Sequence, residues 1–422
     1  MSKNKDKKKK GGCAKWLLVI LAIFAIAGGV FMYFGGFGTG ESADPKEFSK
    51  YAGAIDSIEI PDGVAVVALG EATHGNREFQ QLKLDVFKIM AEKYGVRTFA
   101  IEGDLGCCEA VNRYIHGGEG TPEQAAADIG FAIYRTEETA ALIEYMRDFN
   151  KTAAQGDDMR FYGFDMQRGG KSLSYLVEEC EKLGVDAGGI KALVDGNDWS
   201  SRYDYSQRKA AFESVKAALL SKEDSSFAVR LADVLIQNCE FFSLMESGAD
   251  GDTSNALRDS YMKENILWIA AQEKDRGFDR IFISGHSGHV KRLSSYKNTG
   301  SLLAEELGSG YYVIGTEFYK TRCNLPSGTD GKRANHTFFS RDPLAKAAKK
   351  AGYDIRFLDF SKIPEDSSLR KYTSEYIYNG SLGEVYSYVM PFIPMTYRAF
   401  DDPEISYDGM IYVANATPTE IK

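Results

Sequence analysis

Two short segments of the chain hold histidines and carboxylates at spacings that suit acid–base chemistry. Glu71 and His74 lie three residues apart in a segment that contains two glycines, and His286 and His289 show the same spacing in a second glycine-containing segment. Histidine has an unperturbed pKa of about 6.5, so it accepts or gives a proton near neutral pH. A neighbouring carboxylate raises that pKa and fixes the tautomer of the ring. The pattern therefore predicts general acid–base catalysis.

Apolar runs that are typical of buried strands precede both segments. Four such runs are found at 64–68, 98–101, 160–164 and 280–283. Glu102 follows the second run and Asp165 follows the third. Because the carboxyl ends of parallel strands meet at one edge of a sheet, we expect these two carboxylates to join the histidines in one pocket.

The remaining pattern predicts an α/β fold with a parallel-rich central sheet flanked by helices. A helical stripe over 79–94 connects the first two strands as a right-handed βαβ unit. Strand signals nearly vanish from 172 to 271, where apolar residues recur at helical spacing. We therefore predict a helical subdomain inserted at about 171–278, before the sheet resumes.

The N-terminal sequence predicts a membrane anchor. Residues 1–15 carry seven lysines and one aspartate and are interpreted as a basic cytoplasmic tail. Residues 16–36 are almost wholly apolar, close to the ~20 residues that a spanning helix needs, and 37–50 form a linker. Lysines stay on the cytoplasmic side, so the prediction is a single-pass protein of the cell membrane with its domain, 51–422, outside. A cleaved signal peptide is the alternative.

Composition excludes several classes of function. The net charge is −9 although the first fifteen residues are basic, so the body is acidic and unsuited to nucleic acid. Six cysteines at irregular spacing form neither a disulfide framework nor a zinc-binding pattern. The sequence indicates no cofactor and no metal ligand set.

Beyond these local patterns, the sequence resembles the erythromycin esterase family. The resemblance is carried by ordered blocks, which are Gly70-Glu71-Ala72-Thr73-His74-Gly75 with Glu78-Phe79, Ile101-Glu102, Gly163-Phe164-Asp165-Met166-Gln167, Arg258 to Met262 with Asn265, and His286-x-x-His289. These blocks span most of the body, roughly residues 50 to 400. The resemblance implies an α/β fold with a helical insertion and hydrolysis of a macrolide lactone by activated water, without a covalent nucleophile or a metal.

Carried over by position, the resemblance implies a role for each matching residue. His74 resembles the general base, Glu71 and Glu102 resemble its carboxylate partners, and His286 and His289 are expected to line the same site. The expected function is therefore hydrolysis of a carboxylic ester or lactone, with a macrolide-like compound among the candidate substrates.

Four further residues are predicted to bind the substrate, namely Lys83, Asp165, Arg77 and Ser287. Two of them depart from the family pattern. Ser287 replaces an asparagine that is common in the second histidine block, and Lys83 stands where the family often has an arginine. Lysine lacks the bidentate fork of arginine, so a different substrate or pose is expected.

Three alternative functions remain open from the sequence. A serine hydrolase would use Ser287, which lies in a near match to Gly-x-Ser-x-Gly, with His336 and Asp330 downstream. A metal-dependent hydrolase, or a metal- or haem-binding protein, would use the same histidines and glutamates as ligands. A binding module without turnover is the third. Metal analysis and turnover of activated esters distinguish them.

Overall fold

The computed structural model describes residues 10–34, 40–195 and 204–422. Nine of the described strands form one mixed sheet in the order β1-β8-β11-β6-β2-β5-β3-β4, with β7 paired to β6. The strands are Ala52–Gly53 (β1), Val66–Glu71 (β2), Thr98–Asp104 (β3), Arg160–Asp165 (β4), Ile281–His286 (β5), Tyr311–Pro326 (β6), Arg333–Phe339 (β7), Ile355–Asp359 (β8), Ile377–Gly380 (β9), Arg398–Asp401 (β10) and Gly409–Ala416 (β11). β9 and β10 form a separate two-stranded sheet.

Helices pack on both faces of the large sheet. The α-helices of the described residues are Lys10–Phe34 (α1), Pro45–Tyr51 (α2), Arg77–Tyr94 (α3), Leu105–Ile115 (α4), Pro122–Asp128 (α5), Glu137–Asn150 (α6), Gly170–Leu183 (α7), Gly188–Asp195 (α8), Tyr205–Leu219 (α9), Ser226–Glu246 (α10), Gly251–Asp275 (α11), Ser287–Val290 (α12), Thr299–Leu307 (α13), Pro343–Lys350 (α14), Arg370–Thr373 (α15) and Pro403–Ser406 (α16). The predicted mixed α/β architecture with a central sheet is confirmed.

The four strands that carry the predicted site are neighbours in the sheet. β2, β5, β3 and β4 lie side by side, and all three pairings between them are parallel. The register places Glu71 opposite His286. Adjacent parallel strands end at the same edge, which explains how residues far apart in sequence meet.

Strands β2 and β5 extend three residues beyond the predicted runs, to Glu71 and His286. The prediction followed apolar side chains, whereas the ladder depends on backbone N–H and C=O groups, which continue to pair when the side chains become polar. As a result, the two site residues belong to the rigid sheet and not to a loop.

Successive side chains of β2 point to opposite faces of the sheet and enter two different hydrophobic cores. Val67 and Leu69 pack with α3, α4 and α6 on one face. Val66 and Ala68 pack with α11, α13 and α14 on the other face. A strand buried on both faces shows the continuous apolar run that the sequence displays.

Helices α7 to α11 lie between β4 and β5 in the chain. Residues of α7, α9 and α10 share a third apolar cluster, centred on Leu176, Phe212 and Leu231. α11 leaves this group and packs against β4, so it connects the helices to the edge of the sheet where the site lies. Residues 196–203, which belong to the predicted insertion, lie outside the described residues.

Helix α1 contains most of the predicted anchor. Its apolar side chains from Trp16 to Ile26 are 47–71% exposed. Within 10–34, 40–195 and 204–422, no helix combines the length and apolarity that membrane crossing requires. The predicted spanning helix over 16–36 is therefore not supported there. Residues 35–36 of that prediction, together with 1–9 of the tail and 37–39 of the linker, lie outside the described residues.

Candidate active site

Glu71 and His74 form a buried carboxylate–imidazole pair. Glu71 is the last residue of β2, and its Oε1 lies 2.7 Å from Nδ1 of His74. The tight passage between them is fixed because the backbone N–H of Ala72 donates to Oγ1 of Thr316 at 3.0 Å. On the far side, Nζ of the buried Lys83 lies 3.0 Å from Oε2 of Glu71. Glu71 thus lies between an ammonium group and an imidazole ring.

These neighbours decide the protonation of the pair. Burial raises the pKa of Glu71, but Lys83 and His74 outweigh it and hold the pKa at about 2. Burial lowers the pKa of His74, and the Glu71 carboxylate raises it to a net value above 6.5. Because Nδ1 of His74 faces Glu71, Nε2 is the ring nitrogen left for a water molecule or substrate.

The ends of β3 and β4 hold an arginine that comes from α11. Nη2 of Arg258 lies 2.8 Å from Oε1 of Glu102 and 2.7 Å from Oδ2 of Asp165, and its Nε donates to Asp165 at 3.2 Å. Burial raises the pKa of Glu102, yet His289 and Arg258 hold it well below its usual range. Two carboxylates therefore fix one guanidinium group at the sheet edge.

His286 is held in its neutral form by backbone groups. Its Nδ1 accepts from the N–H of Gly288 at 3.1 Å, and its Nε2 lies 2.9 Å from the carbonyl oxygen of Leu382, to which it donates. Burial and the neighbouring His74 lower the pKa of His286 to about 4. The backbone N–H of His286 donates to Oε2 of Glu102 at 2.8 Å. His286 therefore positions its surroundings and has no free ring nitrogen to act as a base.

His289 forms a second carboxylate–imidazole pair. Its Nδ1 lies 2.9 Å from Oδ2 of the buried Asp259, and its Nε2 lies 3.1 Å from Nη1 of Arg258 and 3.5 Å from Oε1 of Glu102. Burial lowers the pKa of His289, but Glu102 and Asp259 outweigh it and raise the pKa above 6.5. The protonated form of His289 is thereby favoured.

One cavity connects the two pairs. The ring centroids of His74 and His286 are 5.0 Å apart, and those of His286 and His289 are 6.5 Å apart. The cavity has a volume of about 220 Å³ and is lined by His74, Glu102, Phe131, Ile133, Gln167, Arg258, His286, His289, Gly383 and Glu384. The three histidines, predicted from two sequence segments, thus share one space with Glu102.

The four residues predicted to bind substrate do not line this cavity. Lys83 is buried behind Glu71, and Asp165 lies beneath Arg258. Arg77 pairs with Glu138 and is 65% exposed. Ser287 is buried, and its Oγ lies 2.9 Å from the position a Cβ on Gly70 would take. Sequence position alone did not reveal which side of each element faces the cavity.

Sequence reasoning assigned no role to several cavity residues. Arg258 and the adjacent Asp259 belong to one of the family blocks but received no role, although opposite charges next to one another on a helix were a usable signal. Gly383 and Glu384 lie in a loop without a motif, so no sequence signal pointed to them.

Comparison with known proteins identifies the family. The model of the erythromycin esterase family matches residues 91–416. The chain belongs to the erythromycin esterase family. As a member of that family it is a hydrolase. The family match covers most of the body, including Glu102, Arg258 and the second histidine segment, and the predicted resemblance is confirmed.

Relatives and solved structures agree with this assignment. The chain is 24% identical to the erythromycin esterase type II of Escherichia coli over 350 residues, which covers 71% of this chain and 82% of that protein. A crystal structure of a succinoglycan biosynthesis protein has a TM-score of 0.72 at 20% identity, covering 90% of this chain and 98% of that one. A mutant of the erythromycin esterase EreC in its open conformation has a TM-score of 0.58 at 13% identity, covering 85% and 93%. These two structures share the fold of this erythromycin esterase family member.

Proposed function

We propose that the protein hydrolyses a carboxylic ester or lactone with a water molecule activated by His74. One observation carries the proposal. The Nδ1 of His74 is bound to an ionised carboxylate, while the rest of the ring lines a cavity shared with His286 and His289. A histidine oriented in this way is suited to remove a proton from water, because the carboxylate on Nδ1 raises its pKa and stabilises the imidazolium that forms.

The reaction that this geometry supports has two stages. In the first, Nε2 of His74 takes a proton from water, and the water oxygen forms a bond to the acyl carbon, which leaves an oxyanion on the former carbonyl oxygen. Arg258 and His289 carry positive charge on the same cavity and stabilise that oxyanion. In the second, the bond between the acyl carbon and the leaving oxygen breaks. The leaving oxygen receives a proton from His289, and His74 and His289 then return to their starting states by exchanging protons with solvent.

The position of Ser287 favours water over serine as the nucleophile. Its Oγ faces Gly70, and the side chain is absent from the cavity lining. His286, its neighbour in the chain, has both ring nitrogens bound to backbone groups. A nucleophilic serine needs a base within hydrogen-bond reach, and this arrangement offers none.

The size of the cavity limits the part of the substrate that enters it. Pockets that enclose drug-sized ligands measure roughly 300–1,000 Å³, whereas this cavity measures about 220 Å³. An ester group and a few neighbouring atoms fit. A macrolide lactone, which stays a candidate substrate, would leave most of its ring outside the cavity.

Turnover assays on the purified full chain test the proposal. The substrates are p-nitrophenyl acetate, simple lactones and a panel of macrolides, each assayed with and without a chelator. Hydrolysis that survives chelation supports water activated by histidine. Hydrolysis that is lost on chelation and restored by one added metal ion would favour the metal-dependent alternative. Absence of turnover on every ester would contradict the proposal.

We further propose, from the N-terminal sequence alone, that the protein resides at the cell membrane with its body outside. The lysine-rich tail and the apolar run over 16–36 support this localisation. Fractionation of cells, followed by protease treatment of intact cells, is the test. Recovery of the full chain in the soluble fraction, without cleavage by the protease, would contradict this localisation.

A further inference from the structure

Exposed large apolar side chains concentrate in one region of the described body. Outside α1, those between 376 and 405 are Tyr376, Val385, Tyr388, Val389, Phe392, Met395, Phe400 and Ile405, each 48–73% exposed. Elsewhere in 40–191 and 204–422, only Leu220, Met245 and Phe339 are large, apolar and exposed. Single exposed apolar residues are ordinary, whereas a cluster marks an interaction surface.

The centre of this region is the segment 385–395, which contains two short 3₁₀ turns, at 390–392 and 394–396. Val389 and Phe392 flank and end the first turn, where side chains at positions i and i+3 lie on the same side, and Met395 belongs to the second turn. The buried Met390 faces the core instead. Val385, Tyr388, Val389, Phe392 and Met395 are together called the apolar ridge.

The apolar ridge continues directly from the wall of the cavity. Gly383 and Glu384 line the cavity, and Val385 follows them in the chain. The preceding Leu382 accepts a hydrogen bond from His286. The apolar ridge therefore begins in the same chain segment that lines the cavity.

The N-terminal end of the body reaches the same region. The carbonyl oxygen of Gly40 accepts from Nζ of Lys346 at 2.8 Å, on helix α14. Arg341, just before that helix, stacks on the ring of Tyr378, which lies 4.8 Å from the ring of Phe400. Tyr378 and Phe400 belong to the sheet of β9 and β10, which adjoins the apolar ridge in sequence.

Helix α1, which carries another set of exposed apolar side chains, is connected to the body near β9 and β10. Helix α1 ends at Phe34, and the body begins again at Gly40. Six residue steps span at most about 20 Å. The C-terminal end of α1 therefore lies within about 20 Å of Gly40, so the exposed apolar side chains of α1 are on a helix that joins the body near β9 and β10. A bilayer surface can receive these side chains together with those of the apolar ridge, because aromatic and aliphatic side chains partition to the boundary between head groups and acyl chains.

We propose that the apolar ridge docks the protein onto a lipid bilayer, with the entrance of the cavity facing the lipid. The ridge side chains enter the boundary region of the bilayer and α1 holds the body close to it. A consequence, which rests on the proposed function, is that the enzyme takes esters dissolved in the bilayer.

Quenching by lipid tests the docking without any assay of activity. Phe392→Cys and, as a matched control, Met245→Cys are made in the full chain with Cys13→Ser, and each is labelled with a fluorophore. The remaining cysteines are buried. In vesicles of phosphatidylcholine and phosphatidylglycerol with brominated acyl chains, we expect at least twofold stronger quenching at 392 than at 245. Equal quenching at both positions overturns the proposal. Fluorescence at 392 that changes with protein concentration and not with lipid assigns the ridge to a second copy of the chain and also overturns it.

A second experiment tests the consequence for the substrate. The variant Val389→Ser/Phe392→Ser/Met395→Ser is compared with Leu220→Ser/Met245→Ser, which removes exposed apolar side chains elsewhere. The ridge variant is expected to lose at least fivefold in turnover of a long-chain p-nitrophenyl ester held in vesicles and to keep its turnover of p-nitrophenyl acetate. Equal loss on both esters overturns the proposal. If the unmodified chain turns over neither ester, the proposed function fails, while the quenching result still decides the docking.

Discussion

The two carboxylate–imidazole pairs of the active site share a plan but differ in what surrounds them. In each pair a buried carboxylate binds Nδ1 of a histidine, at 2.7 Å for Glu71 and His74 and at 2.9 Å for Asp259 and His289. The other oxygen of Glu71 meets the ammonium group of Lys83. The donors that Asp259 also accepts from, Thr299 and Tyr296, are neutral. Glu71 therefore shares its charge, whereas Asp259 has His289 as its cationic partner.

The second ring nitrogen, Nε2, also has different partners in the two histidines. Nε2 of His289 lies 3.1 Å from Nη1 of Arg258, which can only donate, and 3.5 Å from Oε1 of Glu102, which can only accept. Nε2 of His74 is left to the cavity. Both imidazoles have raised pKa values, but their second nitrogens meet different partners. In the proposed mechanism, His74 is the base and His289 is the acid.

Replacing His74 is expected to have the largest effect. His74→Ala removes the proton acceptor, so kcat/KM on a model ester should fall by about 10²–10⁴. His116→Ala is the matched control, since His116 is bound to Asn112 and Asp158 and does not line the cavity. Circular dichroism checks that both variants are folded. Activity of His74→Ala near that of the unmodified chain would remove this residue from the mechanism.

Glu71→Gln should have the next largest effect and should move the acid limb of the pH profile. The base works in its neutral form, so the rate rises as pH increases through the pKa of His74, which Glu71 holds above 6.5. Without that carboxylate, burial predominates and the pKa falls, so the acid limb shifts to lower pH. We expect a loss of about 10- to 100-fold at the optimum, part of the general-base contribution.

The pH dependence of kcat/KM is the measurement, and thermal unfolding of Glu71→Gln/Lys83→Met checks for damage from the buried ammonium group. An acid limb that stays in place would show that another group is the base.

Asp259→Asn should move the opposite limb. A general acid works in its protonated form, so the rate falls as pH increases through the pKa of His289, which Glu102 and Asp259 raise. Loss of Asp259 lowers that pKa and shifts the alkaline limb to lower pH. The rate loss is expected to be smaller than for Glu71→Gln, because Glu102 remains. A shift of the acid limb instead would exchange the roles of the two pairs.

Ser287→Ala should have the smallest effect, within about twofold of the unmodified chain. Ser287 lies against Gly70 and outside the cavity, so its hydroxyl takes no part in a reaction that uses water. The substitution is assayed on p-nitrophenyl acetate beside His74→Ala. A loss as large as that of His74→Ala would establish serine as the nucleophile.

Much of the active site could be predicted from the sequence because polar residues directly follow buried strands. Glu71, Glu102, His286 and His289 come after apolar runs whose type and order favour a parallel sheet, and parallel strands end at one edge. Glu102, His286 and His289 line one cavity, and Glu71 binds the His74 that lines it as well. Lys83 and Arg77, which were predicted to contact the substrate, do not line the cavity. Both lie on α3, where the side that faces the cavity depends on how the helix packs.

The sequence itself determined which polar residues stand at the ends of the apolar runs, namely Glu71, Glu102, Asp165 and His286. Tertiary structure decided which histidine has a lowered pKa, because His286 owes that shift to burial and to the neighbouring His74. It also decided that Arg258 and Asp259, which lie more than ninety residues beyond β4 in the chain, reach the site from α11. Protonation depends on solvent exclusion and on charges within a few ångströms, and those distances are set only when the helices pack onto the sheet.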